Sequence, residues 1–147
     1  GSDAQIFLDR LVTRNIQICK VGQVMYTPWC DEAGKVIDDG TVQRLGEDSF
    51  RLTSAEPNLT WLLDNASGMD VHIVDDSKTT AAVALQGPKS RDILNTISST
   101  SLDSLKFFWL LKTELDGISV TISRTGYTGG SRPLCDRLWG RSGSNPE

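Results

Sequence analysis

Two apolar, β-prone runs, LKFFWLLKTEL at 105–115 and GISVTISR at 117–124, meet at Asp116-Gly117. An Asp-Gly pair tolerates the positive φ that a two-residue hairpin turn needs at both central positions. Ile118, Val120 and Ile122 alternate with Ser119, Thr121 and Ser123, which gives that run one apolar and one polar face. So short a connection can only join antiparallel neighbours. The same grammar recurs earlier: VGQVMYTPWC at 21–30 and KVIDDGTVQRL at 35–45 flank the turn DEAG, and GED at 46–48 leads into SFRLTSA.

Helical periodicity interrupts these strands at three places. SDAQIFLDRLVT offers Ser2 as N-cap with Gln5 three residues on, then Phe7, Leu8, Leu11 and Val12 at helical spacing. EPNLTWLLDNAS carries proline early and predicts a helix with Leu59, Leu62 and Leu63 inward, ended by Gly68. Pro88 opens a third helix with Ile93, Leu94 and Ile97 on one stripe. Between them MDVHIVDD alternates apolar and polar residues as a strand does, and TAAVALQ is a shorter apolar run. Strands and helices mix without regular βαβ alternation, so the expected class is α+β, with mainly antiparallel sheets and flanking helices. One domain over residues 1–130 is expected. From 131 onward, SRPLCDRLWGRSGSNPE has no usable period and reads as an irregular or frame-disturbed tail.

Charge and cysteine content narrow the function. A formal net charge of -4 over 147 residues lacks the basic excess that phosphate-backbone binders use, which argues against nucleic acid. No apolar run approaches the length that crosses a bilayer. Cys19, Cys30 and Cys135 stand far apart in no metal-knuckle or dithiol spacing, so no metal site is expected and a reducing cytoplasm fits best. His72, the single histidine, alternates with Val71 and Ile73 and reads as structural.

Two places carry chemistry. Asp38 and Asp39 stand side by side in VIDDGTV, and the strand period sends them to opposite faces, one of them into the protein. Composition alone favours the plainer reading of two solvated edge-strand acids. ISRTGYTGG sets Tyr127 between glycines just after a strand, where a ring can serve as a platform for a flat heterocycle or simply pack a turn.

The runs YTPWCDEAGKVIDDGTV at 26–42, LQGPKSRDIL at 85–94, LKFF at 105–108 and SRTGYTG at 123–129 resemble, in order and spacing, successive landmarks of the glycine-cleavage T-protein family. The resemblance implies tetrahydrofolate-dependent one-carbon transfer, with an aminomethyltransferase as parent protein and a lipoyl carrier (the H-protein) as donor partner. The same resemblance leaves room for a demethylase acting on a methyl ether, methylated amine or sulfonium compound, or for a non-catalytic folate-binding module. It assigns Asp39 to the folate pterin as the catalytic carboxylate, and Tyr26 and Tyr127 to folate binding. Three departures stand out: Gly40 replaces a leucine-like residue and is expected to loosen its strand; TPWC and AEPNL differ from familiar members; and SRPLCDRLWG does not supply the family's aromatic-glutamate pair. The chain is therefore expected to be a fragment that is inactive alone.

Overall fold

The computed structural model describes residues 1–126 in full and the backbone of 135–141. The chain divides into two compact units, Gly1–Asp75 and Asp76–Glu147, where one domain was expected.

The first unit is built on a three-stranded antiparallel sheet in the order β1 (Val24–Cys30), β2 (Val36–Arg44), β3 (Phe50–Ser54). The turn between β1 and β2 contains Gly34 at φ 77, as DEAG predicts. Pro28 lies on the edge strand β1, where a missing N–H costs no ladder bond. Its carbonyl turns outward and accepts the Thr13 N–H at 3.1 Å. One face of this sheet is the core face: Trp29 and Val42 are fully buried there, with Met25, Phe50 and Leu52 packed alongside. Helix α1 (Ala4–Leu11) contributes Phe7 and Leu8 to the same core, followed by Val12, Ile16 and Cys19. Each such apolar side chain removed from water contributes about 1.5–3 kcal/mol.

Ser2 does not cap α1. Asp3 occupies that position without a side-chain cap bond, and Ser2 instead donates its N–H and hydroxyl to Asp70 Oδ2 at 2.9 and 2.8 Å. Those two bonds hold the Asp70 carboxyl below its ordinary pKa. Helix α2 (Leu59–Asn65) packs Trp61 and Leu62 on the core, but Leu63 is 50% exposed and Leu59 also faces solvent. The segment MDVHIVDD alternates as predicted, Val71 and Ile73 packing inward and His72 exposed, yet forms no strand. Its apolar side chains find the core while its backbone pairs with no ladder.

The second unit holds a four-stranded antiparallel sheet in the order β4 (Thr80–Gln86), β7 (Cys135–Arg141), β6 (Ile118–Arg124), β5 (Leu110–Leu115). Asp116 and Gly117 adopt φ 48 and 80, and join β5 to β6 as a hairpin. Helix α3 (Ser90–Ile97) buries Leu94 against Leu102, Leu105 and Ile122, while Ile93 is 53% exposed. Strand β5 starts only at Leu110, because Phe107 and Phe108 form a turn closed by the Trp109 N–H on the Lys106 carbonyl at 3.2 Å. Strand β7 corrects the expectation of an irregular stretch from 131: its backbone pairs with β4 on one side and β6 on the other. A strand between two others is specified by ladder bonds as much as by side-chain period, so its sequence need not alternate.

Candidate functional site

Strand register assembles the site. Pro28 stands opposite Asp39 and Tyr26 opposite Thr41, so Tyr26 and Asp39 are diagonal neighbours on one face of the β1–β2 ladder. The Tyr26 hydroxyl donates to Asp39 Oδ2 at 2.6 Å, the short separation of an O–H bonded to a carboxylate. This is the face opposite the Trp29–Val42 core. Tyr26 is 47% exposed, Asp39 is half-buried, and Ile37 is exposed beside them. Thr41 and Thr53 continue the face across to β3 with their hydroxyls 2.8 Å apart, and Thr53 Oγ1 accepts the Thr41 N–H at 3.0 Å. An aromatic ring, a carboxylate and two hydroxyls thus share one accessible sheet surface. Such a surface can cover a flat ring and hold its polar edge.

Asp38 faces the other way and is 8% exposed. Its Oδ1 accepts the Asp39 N–H at 2.7 Å, and its Oδ2 accepts the Glu56 N–H at 3.1 Å and the Asn58 side-chain amide at 2.8 Å. Burial opposes ionisation of this carboxyl. The donors from Glu56, Asp39, Asn58 and Ala55 outweigh burial, and its pKa lies below the ordinary value. The two neighbouring acids therefore differ completely in surroundings, as strand parity predicts.

Gly40, between Asp39 and Thr41, is a site of close approach. A Cβ there would overlap the carbonyl oxygen of Thr53 on β3. The expectation that glycine loosens this strand is replaced by a steric one: here glycine lets β3 come in tightly beside the site.

In the second unit, Arg124 joins two motifs that the sequence presents far apart. Its guanidinium donates to the Leu105 carbonyl at 2.7 Å, its carbonyl accepts the Phe108 N–H at 2.8 Å, and its N–H reaches the Trp109 carbonyl at 3.0 Å. LKFF is thereby tied to the start of SRTGYTG. Phe108 sits at φ 60, a conformation rare for a bulky residue. Sequence reasoning passed over Phe108 and Arg124 because neither strain nor a side-chain bond to a distant carbonyl leaves a periodic signal. Thr125, buried, shares a 3.2 Å hydroxyl contact with Ser123 and leads to Gly126. Tyr127 lies outside the described residues. Among the described residues no three His, Cys, Asp or Glu side chains gather as a metal site, and no helix is long and apolar enough to cross a membrane.

Comparison with known proteins gives this face a context. Residues 1–131 match the family model described as GCVT N-terminal domain. An aminomethyltransferase of Halothermothrix orenii is 43% identical over 133 residues, covering 88% of this chain and 37% of the relative. An aminomethyltransferase of Clostridium botulinum (strain 657) is 41% identical over 134 residues, with 88% and 36% covered. The crystal structure of glycine cleavage system aminomethyltransferase T from Bartonella henselae superposes with a TM-score of 0.79 at 25% identity, covering 96% of this chain and 38% of that one. The chain thus spans little more than a third of the length of these relatives. With residues 1–131 of the 147 matching the family model and an α+β fold shared with a solved aminomethyltransferase, the chain belongs to the GCVT N-terminal domain family.

Proposed function

We propose that this chain is the folate-binding part of an aminomethyltransferase of the glycine cleavage system, working in the cytoplasm with tetrahydrofolate as acceptor and a lipoyl carrier as donor. The observation that carries this reading is the 2.6 Å Tyr26–Asp39 bond on an accessible sheet face, in a chain whose relatives are named aminomethyltransferase. In the reaction a folate nitrogen attacks the methylene carbon of the carried aminomethyl group. A carbon–nitrogen bond forms as the bond to the amine breaks, and the proton lost by the attacking nitrogen leaves with ammonia. The second folate nitrogen then bonds the same carbon as the carbon–sulfur bond to the carrier breaks, and its proton goes to the lipoyl thiolate.

Asp39 is the carboxylate suited to this step. It accepts a hydrogen bond from the pterin edge, stabilises positive charge on the attacking nitrogen, and passes the proton on. Tyr26 fixes the carboxylate through its hydroxyl and offers its ring to the heterocycle. Tyr127, assigned to folate binding by the family resemblance, is the residue for a second ring. Holding nucleophile and carbon in line accounts for a large part of the barrier reduction.

A chimera tests this. Residues 1–131 replace the matching segment of the Halothermothrix orenii relative, and aminomethyl transfer to tetrahydrofolate is measured with and without Asp39→Asn. Transfer by the chimera and its loss in the variant are expected. Near-normal turnover in Asp39→Asn would remove Asp39 from the chemistry, and demethylation of a small methylated compound in place of aminomethyl transfer would replace the donor.

A further inference from the structure

Asp39 is the last residue of β2 with a partner on β1 alone: β2–β3 pairing runs from Arg44–Phe50 to Gly40–Ser54 and stops there. Backbone N–H groups point to alternate sides along a strand. The Thr41 N–H turns toward β3, where Thr53 Oγ1 takes it, so the Asp39 N–H turns to the same side, past the end of β3. No β3 carbonyl in the ladder stands opposite. The Asp38 carboxylate fills that place at 2.7 Å. Its second oxygen is fixed by the Glu56 N–H and the Asn58 amide, which anchor it to the loop between β3 and α2.

We infer that Asp38 is a positioning residue for Asp39: its carboxylate stands in for the missing ladder acceptor and holds the Asp39 backbone so that the Asp39 side chain meets Tyr26 and the ligand. This rests on the reading of Asp39 as the folate carboxylate, although the geometry it predicts is testable without folate. A carboxylate makes a stronger bond to an N–H than a neutral group does, but what the Asp39 N–H requires in this place is an acceptor oxygen. Burial on the core face keeps water from competing for that bond.

The test uses the 147-residue chain, NMR and three variants. In the unsubstituted chain the three-bond couplings of Asp39 should report one side-chain rotamer. Asp38→Ala should average them and weaken tetrahydrofolate binding, read by NMR titration, about three- to tenfold. Asn58→Ala removes a different bond of the same network; it should lower the melting temperature but leave the Asp39 couplings unchanged, and Asp38→Asn, which keeps an acceptor for the Asp39 N–H, should largely preserve them. A structural Asp38 would lower the melting temperature and leave the couplings alone, which overturns the inference. If Asp38→Ala does not fold, the amide of residue 39 in Asp39→Asn decides: it should shift with the titration of Asp38, and a pH-independent amide overturns the inference. Absence of tetrahydrofolate binding by the unsubstituted chain counts against the folate reading, while the couplings still decide the role of Asp38.

Discussion

The Tyr26 hydroxyl and the Asp39 carboxylate are joined at 2.6 Å across two strands, from positions whose neighbours on the same face are Thr41 and Pro28. The bond orders an acid that lies partly in solvent, at the expense of one tyrosine rotor. Tyr26→Phe removes the donor and keeps the ring. In the chimera it should weaken tetrahydrofolate affinity about tenfold with little change in melting temperature, since the lost bond is to a charged acceptor on a partly exposed face. Calorimetric titration checks the affinity, and a thermal scan checks the fold. An unchanged affinity would reduce Tyr26 to a surface aromatic.

The two adjacent acids should separate cleanly by substitution. Asp39→Asn should lower turnover of the chimera by roughly two to four orders of magnitude with the fold intact. Asp38→Asn places an amide against the Glu56 and Asn58 donors and should cost about 1–3 kcal/mol of stability. Steady-state rates and urea denaturation of both variants read the two effects independently.

Acid should act on the fold through Asp38. Its carboxyl is held below the ordinary value when folded, so the unfolded chain binds that proton more readily than the folded chain. The stability it contributes is complete above about pH 4 and disappears as pH falls through the lower folded value. Melting temperature followed from about pH 7 downward should fall steeply in the acid limb, and Asp38→Asn should flatten that limb. A variant curve parallel to the original would mean that other carboxylates, Asp70 among them, dominate acid unfolding.

Gly40→Ala should destabilise the chain by about 1–3 kcal/mol, because its methyl group must displace the Thr53 carbonyl and with it the β2–β3 spacing. Urea denaturation measures the loss. Amide exchange at Thr41 should rise with it, since the Thr41 N–H depends on Thr53.

Features that obey a local period were legible from the residues alone. The Asp116-Gly117 hairpin, the β1–β2 pair and the opposed directions of Asp38 and Asp39 all follow from alternation and turn chemistry. Helices were placed correctly, but their buried faces were read too broadly: Leu62 and Leu94 pack inward while Leu63 and Ile93 do not. A seven- or eight-residue helix touches its core through two or three side chains, and a periodic stripe cannot say which. Interactions that join distant positions were invisible, including the Asp38–Asn58 bond, the Ser2–Asp70 clasp and the tie from Arg124 to Leu105. Strand β7 was missed for the same reason, since its place is set by β4 and β6 and by no alternation of its own.

Strand β4 has a consequence for handling the chain. It is an edge of its sheet among the described residues, and TAAVALQ carries no charge, no proline and no glycine along seven extended residues, with Val83 exposed at its centre. Natural edges are usually guarded by a lysine, a proline or a bulge, and β1 is guarded in this way by Pro28. An unguarded edge of this composition offers its backbone to any extended segment, including the same strand of another molecule. Concentration will therefore govern how long the isolated chain stays monodisperse, and a single lysine at Val83 is the economical remedy.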